Sequence, residues 1–148
     1  MNRLATLFSM LAISLAVAGC AQPPPTMGAV TAPKLERTEY QVFFDTDSAT
    51  VNARGQAVVA AIAAVAAKDD KMSVRVIGKT DRVGAPPVNM AVSKRRTEAV
   101  LGALVAAGMP TARIDWGWVG ERAPEVETPD SKVEPRNRVV EITVAREP

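Results

Sequence analysis

The sequence predicts a two-layer α/β sandwich, with elements in the order strand–helix–strand–helix–strand–strand over residues 37–148. Three observations predict it. Short β-branched runs alternate with two Ala-rich segments of helical period. Gly, Pro and Asp clusters punctuate the junctions. A final run, Arg138 to Val144 (RVVEITV), alternates well enough for a strand after a Pro-containing loop. Helices on one face of a sheet let both bury their apolar sides against each other.

Tyr40 to Phe44 (YQVFF) is aromatic and β-branched, which reads as the first strand. The polar run Asp45-Thr46-Asp47-Ser48 ends it. From Asn52 to Ala67 the chain is Ala-rich, with Val58, Ile62 and Val65 at helical spacing and Asn52 as N-cap. Lys68-Asp69-Asp70-Lys71 closes that helix. In Met72 to Lys79 (MSVRVIGK), Val74, Val76 and Gly78 share one face of a second strand. Thr80 to Pro87 reads as a loop. A long helix follows from Val88 to Ala107, with Val92, Ala99, Ala103 and Leu104 as its expected core stripe. Gly108 fits the position after its end, and Pro110 stops continuation. Arg113 to Val119 (RIDWGWV) is the third strand. Core packing is the expectation for Trp116 and Trp118, with sugar stacking as the alternative. Residues 120–137 hold many charges and three prolines, and read as loop with at most one helical turn.

Composition narrows the function. Hydrophobic content is 47%, charged content 23% and net charge +2. Lys and Arg are interleaved with acids, so nucleic acid is not an expected partner. The chain has no histidine, hence neither the usual general base near neutral pH nor the commonest metal ligand. No cofactor or metal is expected. A hydrolase using a carboxylate pair among Asp45, Asp47 and Asp81 is the weakest reading, because no nucleophile–base constellation accompanies them.

The N-terminus reads as an address. Arg3 precedes Leu4 to Val17, an uncharged and mostly apolar run. It is too short to cross a hydrocarbon core of roughly 30 Å comfortably, but suits a signal peptide over residues 1–19. Val17-Ala18-Gly19-Cys20 resembles the lipobox of bacterial lipoproteins, and Cys20 is the single cysteine. That resemblance implies lipidation of Cys20 and cleavage before it. Ala21, in place of an aspartate, leans towards the outer membrane. Residues 20–36 then form a Pro-rich tether, whose sixteen residues after the cysteine reach on the order of 50 Å.

Gly78-Lys79-Thr80-Asp81-Arg82-Val83-Gly84, Asn89, Ser93-Lys94-Arg95-Arg96, Gly120-Glu121-Arg122-Ala123-Pro124 and Asn137-Arg138-Val139-Val140-Glu141-Ile142 form an ordered set. It resembles the OmpA-like C-terminal domain shared by outer-membrane protein A, the peptidoglycan-associated lipoprotein and flagellar stator proteins. The resemblance implies a mixed sheet in the order 1-4-2-3. It also implies noncovalent binding of peptidoglycan through the diaminopimelate of the stem peptide. Asp81 and Arg96 match the family's two dominant ligand contacts, and Thr46, Asp47 and Asn89 match supporting ones. Asp81 suits the ligand's ammonium and Arg96 suits its carboxylate, held in bidentate fashion. Asn89, Ser93 and Arg96 lie on one helical face, and Arg95 is rotated about 100° away. Lys79 adds a cation expected either beside the site or in solvent. Val139 stands where relatives often carry an arginine. The functional expectation is a periplasmic domain linking the outer membrane to the cell wall. The alternative is a component of an envelope secretion or conjugation complex.

Overall fold

The computed structural model describes residues 37–146. The expected signal peptide, the lipidation site Cys20 and the tether lie outside the described residues. Six regular elements follow the predicted order: β1 (Arg37–Phe43), α1 (Ala53–Ala66), β2 (Met72–Lys79), α2 (Pro86–Ala106), β3 (Ile114–Gly120) and β4 (Val139–Arg146). The strands form one sheet in the order β1-β4-β2-β3, as the resemblance implied. β4 is antiparallel to both neighbours, while β2 and β3 are parallel.

Register sets the core. Val42 faces Val140, Val74 faces Val144, and Val76 faces Ile142. Together with Val59 and Ile62 of α1 and Val100 and Leu104 of α2, these side chains are almost fully buried. Each contributes roughly 1.5–3 kcal/mol of hydrophobic stabilisation. The buried stripe of α1 is Gly55, Val59, Ile62, Ala63 and Ala66. Val58 is only partly buried, and Val65 is exposed despite its helical spacing.

The caps follow the sequence closely. The Asn52 side chain accepts from Gly55 N at 3.0 Å. At the end of α2, Gly108 has φ 96°, Met109 N donates to Leu104 O, and Gly108 N donates to Val105 O. This is a Schellman motif, and buried Met109 and Leu104 supply its hydrophobic contact. α2 begins two residues earlier than predicted, because Pro86 and Pro87 open the helix. Their missing N–H groups are no loss in a first turn, where those donors lack helical partners.

The expected stripe of α2 is corrected. Among its members only Leu104 is fully buried; Val92, Ala99 and Ala103 are partly exposed. The buried face is instead polar in its first half, with Asn89, Ser93, Arg96 and Thr97, and apolar only at Val100 and Leu104. Gly78 makes this seating possible. A Cβ there would lie 2.2 Å from Thr97 Oγ1 and 2.5 Å from Ser93 O. Thr97 Oγ1 lies 3.0 Å from Ser93 O and 3.1 Å from Gly117 O, and Gly120 N donates to Ser93 Oγ at 3.1 Å. The helix is thereby locked onto β2 and β3 by hydroxyls.

Two further expectations change. Trp116 and Trp118 are 43% and 36% exposed, so neither is a core residue. α2 packs too closely over Gly78 to leave room beneath it for Trp118, which is paired beside Gly78 on the edge strand. Lys79 faces neither solvent nor the expected ligand site. It points to the sheet face opposite the helices and pairs with Glu125 and, at 2.8 Å, with Glu141. Glu125 belongs to the 121–137 segment, so this cluster fastens that segment across the open face. Gln41 Nε2 also donates to Glu125 at 3.2 Å. Buried Asn137, in a short 3-10 turn, exchanges two hydrogen bonds of 2.8 Å with the backbone of Val126.

Candidate functional site

The carboxyl ends of β1 and β2 and the amino end of β4 meet at one end of the sheet, where α2 also starts. A cleft of about 250 Å³ opens there, and Thr46, Asp47, Asp81, Asn89 and Arg96 all line it. These five residues come from two loops and one helix, and the topology alone brings them together. Thr80, Gly84, Arg138 and the apolar side chains Val83, Val88, Val92 and Val133 complete the wall.

Asp81 is 7% exposed. Its cationic partner is Arg138, whose Nη1 donates to Asp81 Oδ2 at 3.1 Å. Arg138 Nε also donates to Phe44 O at 3.3 Å. Arg82, adjacent to Asp81 in sequence, turns instead to Glu127 and Asp130. Sequence reasoning missed Arg138. The signal was present in Asn137-Arg138, just before β4, as a cation beside the buried end of the sheet.

Arg96 is 1% exposed and stacks over the Phe44 ring at 5.2 Å. Its Nε donates to Ser48 O at 2.9 Å and its Nη2 to Asp45 O at 3.0 Å. The side chain therefore organises the 45–48 loop. A guanidinium has five N–H donors, and two of these go to loop carbonyls. Burial lowers its affinity for the proton, Arg138 adds to that, and Asp81 and Asp47 oppose it. The group remains charged, as arginine does in proteins. Arg95 is exposed, consistent with its rotation away.

The supporting residues show what the loop geometry requires. Asp47 adopts φ 54°, a left-handed conformation that Asp tolerates better than most residues and that concentrates at functional sites. Asn89 is 4% exposed and its Nδ2 donates to Glu121 Oε2. Thr80 Oγ1 is buried with no hydrogen-bond partner among the described residues. The cleft thus combines two carboxylates, two guanidinium groups, an amide, an unsatisfied hydroxyl and an apolar rim. Such a set suits a small zwitterion on an apolar stem. Among the described residues, no group of acids and cysteines has the arrangement of a metal site.

The fold and cleft define a two-layer α/β domain with a mixed 1-4-2-3 sheet and a charged cleft at one sheet end. The chain belongs to the OmpA family, whose model matches residues 43–138. It is 38% identical over 117 residues to an outer membrane protein of Gluconacetobacter diazotrophicus, covering 75% of this chain and 31% of that protein. It is 34% identical over 104 residues to the probable lipoprotein YiaD of Escherichia coli, covering 70% of this chain and 48% of that one. The chain thus spans between about a third and a half of the length of these curated relatives. The crystal structure of the peptidoglycan-associated lipoprotein from Burkholderia pseudomallei superposes with a TM-score of 0.65 at 27% identity. That match covers 70% of this chain and 88% of the other.

Proposed function

We propose that this domain binds uncrosslinked peptidoglycan stem peptides in the Asp81–Arg96–Arg138 cleft, and that lipid on Cys20 fastens it to the outer membrane. The observation that carries the reading is the sheltered juxtaposition of opposite charges in one small cleft. The free end of diaminopimelate presents an ammonium and a carboxylate on one carbon. Asp81 accepts from the ammonium, while Arg138 and the remaining donors of Arg96 meet the carboxylate. Charge-assisted hydrogen bonds of this kind contribute roughly 1.5–3 kcal/mol each when partly sheltered, against about 0–1 kcal/mol for exposed pairs. Thr46, Asp47, Asn89 and the Thr80 hydroxyl contribute further polar contacts, and the valine rim takes the aliphatic stem.

Topology supports a bridging role. The chain enters the sheet at Arg37, and β1 runs from there towards the cleft. Attachment to the tether and the ligand cleft therefore lie at opposite ends of the strand, about 20–25 Å apart. Family membership and the name of the Burkholderia neighbour support the same reading. No helix among the described residues is long and apolar enough to cross a membrane.

The test is co-sedimentation with diaminopimelate-containing sacculi. The wild type pellets and binds a soluble stem peptide ending in diaminopimelate, whereas Asp81→Ala and Arg96→Ala variants that retain native circular dichroism pellet less and lose the peptide. Unchanged stem-peptide affinity in both variants excludes the cleft.

A further inference from the structure

We propose that Trp116 and Trp118 form a second site, a stacking platform for pyranose rings of a β-linked amino-sugar glycan. Both side chains project from the helix-side face of β3, since their parallel partners Val76 and Gly78 face that way. They are 43% and 36% exposed. Alternate strand positions stand roughly 6.5 Å apart, so each ring is separately available. β3 is an edge strand, and no further strand covers this flank among the described residues. The Lys94 ammonium sits 5.5 Å from the Trp118 ring centroid and steadies the indole against the flank of α2. Lys94 also pairs with Glu98 at 3.7 Å, with both side chains about half exposed. The aromatic surface is thus bordered by charged hydrogen-bonding groups.

Size and chemistry select the occupant. A fully buried tryptophan covers roughly 150–250 Å². At these exposures the pair offers on the order of 100–200 Å². That is far below the roughly 800 Å² per partner of a stable protein interface. It matches the C–H faces of one or two sugar rings, whose hydroxyls can reach Lys94 and Glu98. A purely apolar ligand would leave that ion pair unused. The platform lies on the opposite flank of α2 from the cleft, so peptide and glycan do not compete. The choice of an amino-sugar glycan rests on the wall-binding reading above; the two sites are separable by experiment.

The chain contains only two tryptophans and one tyrosine, so tryptophan emission, excited selectively over Tyr40, reports on this platform alone. Full-length protein in detergent is titrated with a β-1,4-linked N-acetylglucosamine tetramer, and separately with a glycan-free stem peptide ending in diaminopimelate. The expected result is a saturable emission change with the tetramer, retained in Asp81→Ala. Calorimetry should show tetramer binding weakened about tenfold in Trp116→Ala and in Trp118→Ala, the scale of a lost ring contact. Both variants should keep stem-peptide affinity, which also establishes that they fold. Absence of any saturable tetramer response overturns the platform, whatever the peptide does. So does an unaltered response in both tryptophan variants, or self-association that those variants abolish without a tetramer response. Loss of peptide binding alone in the wild type overturns the cleft reading and leaves the platform standing.

Discussion

Arg138 Nη1 lies 3.1 Å from Asp81 Oδ2, in a pair whose side chains are only 13% and 10% exposed. The two residues are brought together by the antiparallel placement of β4 beside β2. In the free protein, Arg138 supplies the positive charge that makes a sheltered Asp81 tolerable. On the proposed reading, a ligand ammonium would exchange one cation for another at Asp81, which costs less than desolvating a bare carboxylate. Replacing Asp81 by Asn leaves Arg138 sheltered and unpaired. The expected loss is about 2–3 kcal/mol of unfolding free energy, below the roughly 3–5 kcal/mol of a fully buried pair. Urea titration of Asp81→Asn, Arg138→Gln and the double variant checks this. Strict additivity of the two single effects would refute the coupling.

Arg96 acts on the 45–48 loop through Ser48 O and Asp45 O. Arg96→Lys retains the charge but cannot span two carbonyls with a planar fork. Amide exchange in residues 45–50 is expected to accelerate at least tenfold, with stability falling by about 1–3 kcal/mol. Stem-peptide affinity should fall with it, because Thr46 and Asp47 ride on that loop. Unchanged exchange there would mean that the loop holds itself without the guanidinium.

Gly78 carries a steric prediction. In Gly78→Ala the new methyl meets Ser93 O, a backbone atom that moves only with the helix. Overpacking of this kind costs about 1–3 kcal/mol, and here the upper end is expected. Denaturant midpoints give the value. Because Ser93 and Arg96 share one face of α2, the displaced helix should also weaken peptide binding.

Much of the fold is legible from local pattern. Asn52, Gly108 and the β-branched runs each act through their own backbone geometry, so cap and strand assignments survive folding. The polar face of α2 is different. Asn89, Ser93, Arg96 and Thr97 are buried only because loops and β3 supply hydrogen-bond partners, and a hydrophobic-period reading places them outside. The same holds for Lys79, whose burial depends on Glu125, forty-six positions away. Trp116 and Trp118 fail in the opposite sense. Aromatic side chains on a strand usually enter a core, but the close seat of α2 on Gly78 closes that route. The cleft residues drawn from the family resemblance converge, whereas Arg138 and Thr80 emerge only once β4 lies beside β2.

The Lys79–Glu125–Glu141 cluster gives the protein a pH signature. Burial raises the proton affinity of Glu141, and its contact with Glu125 adds to this, against the opposing pull of Lys79. Glu125 is lowered, first by the hydrogen bond from Glu141, then by Lys79, against its own burial. Burial would lower Lys79, but the two glutamates outweigh it and hold the ammonium above its ordinary value. The signs follow by linkage. Glu141 binds its proton more tightly when folded, so its contribution is fully present below the ordinary glutamate range. It is lost as pH rises through its raised folded value. Glu125 binds its proton less tightly when folded, so its contribution is present above the ordinary range and lost as pH falls through its lowered value. Lys79 contributes fully at any pH below the ordinary lysine range. The attachment of the 121–137 segment is therefore expected to be firmest near the ordinary glutamate range and to loosen towards neutrality. Glu141→Gln keeps a hydrogen-bonding neutral group and removes the titration. Stability measured by urea titration across this range should fall with rising pH in the wild type. In Glu141→Gln it should stay flat on that side while keeping its acid limb. Amide exchange in residues 125–127 should follow the same profile. A wild type whose stability rises from the glutamate range to neutrality would contradict the raised proton affinity of Glu141, and with it the account of how this segment is held to the sheet.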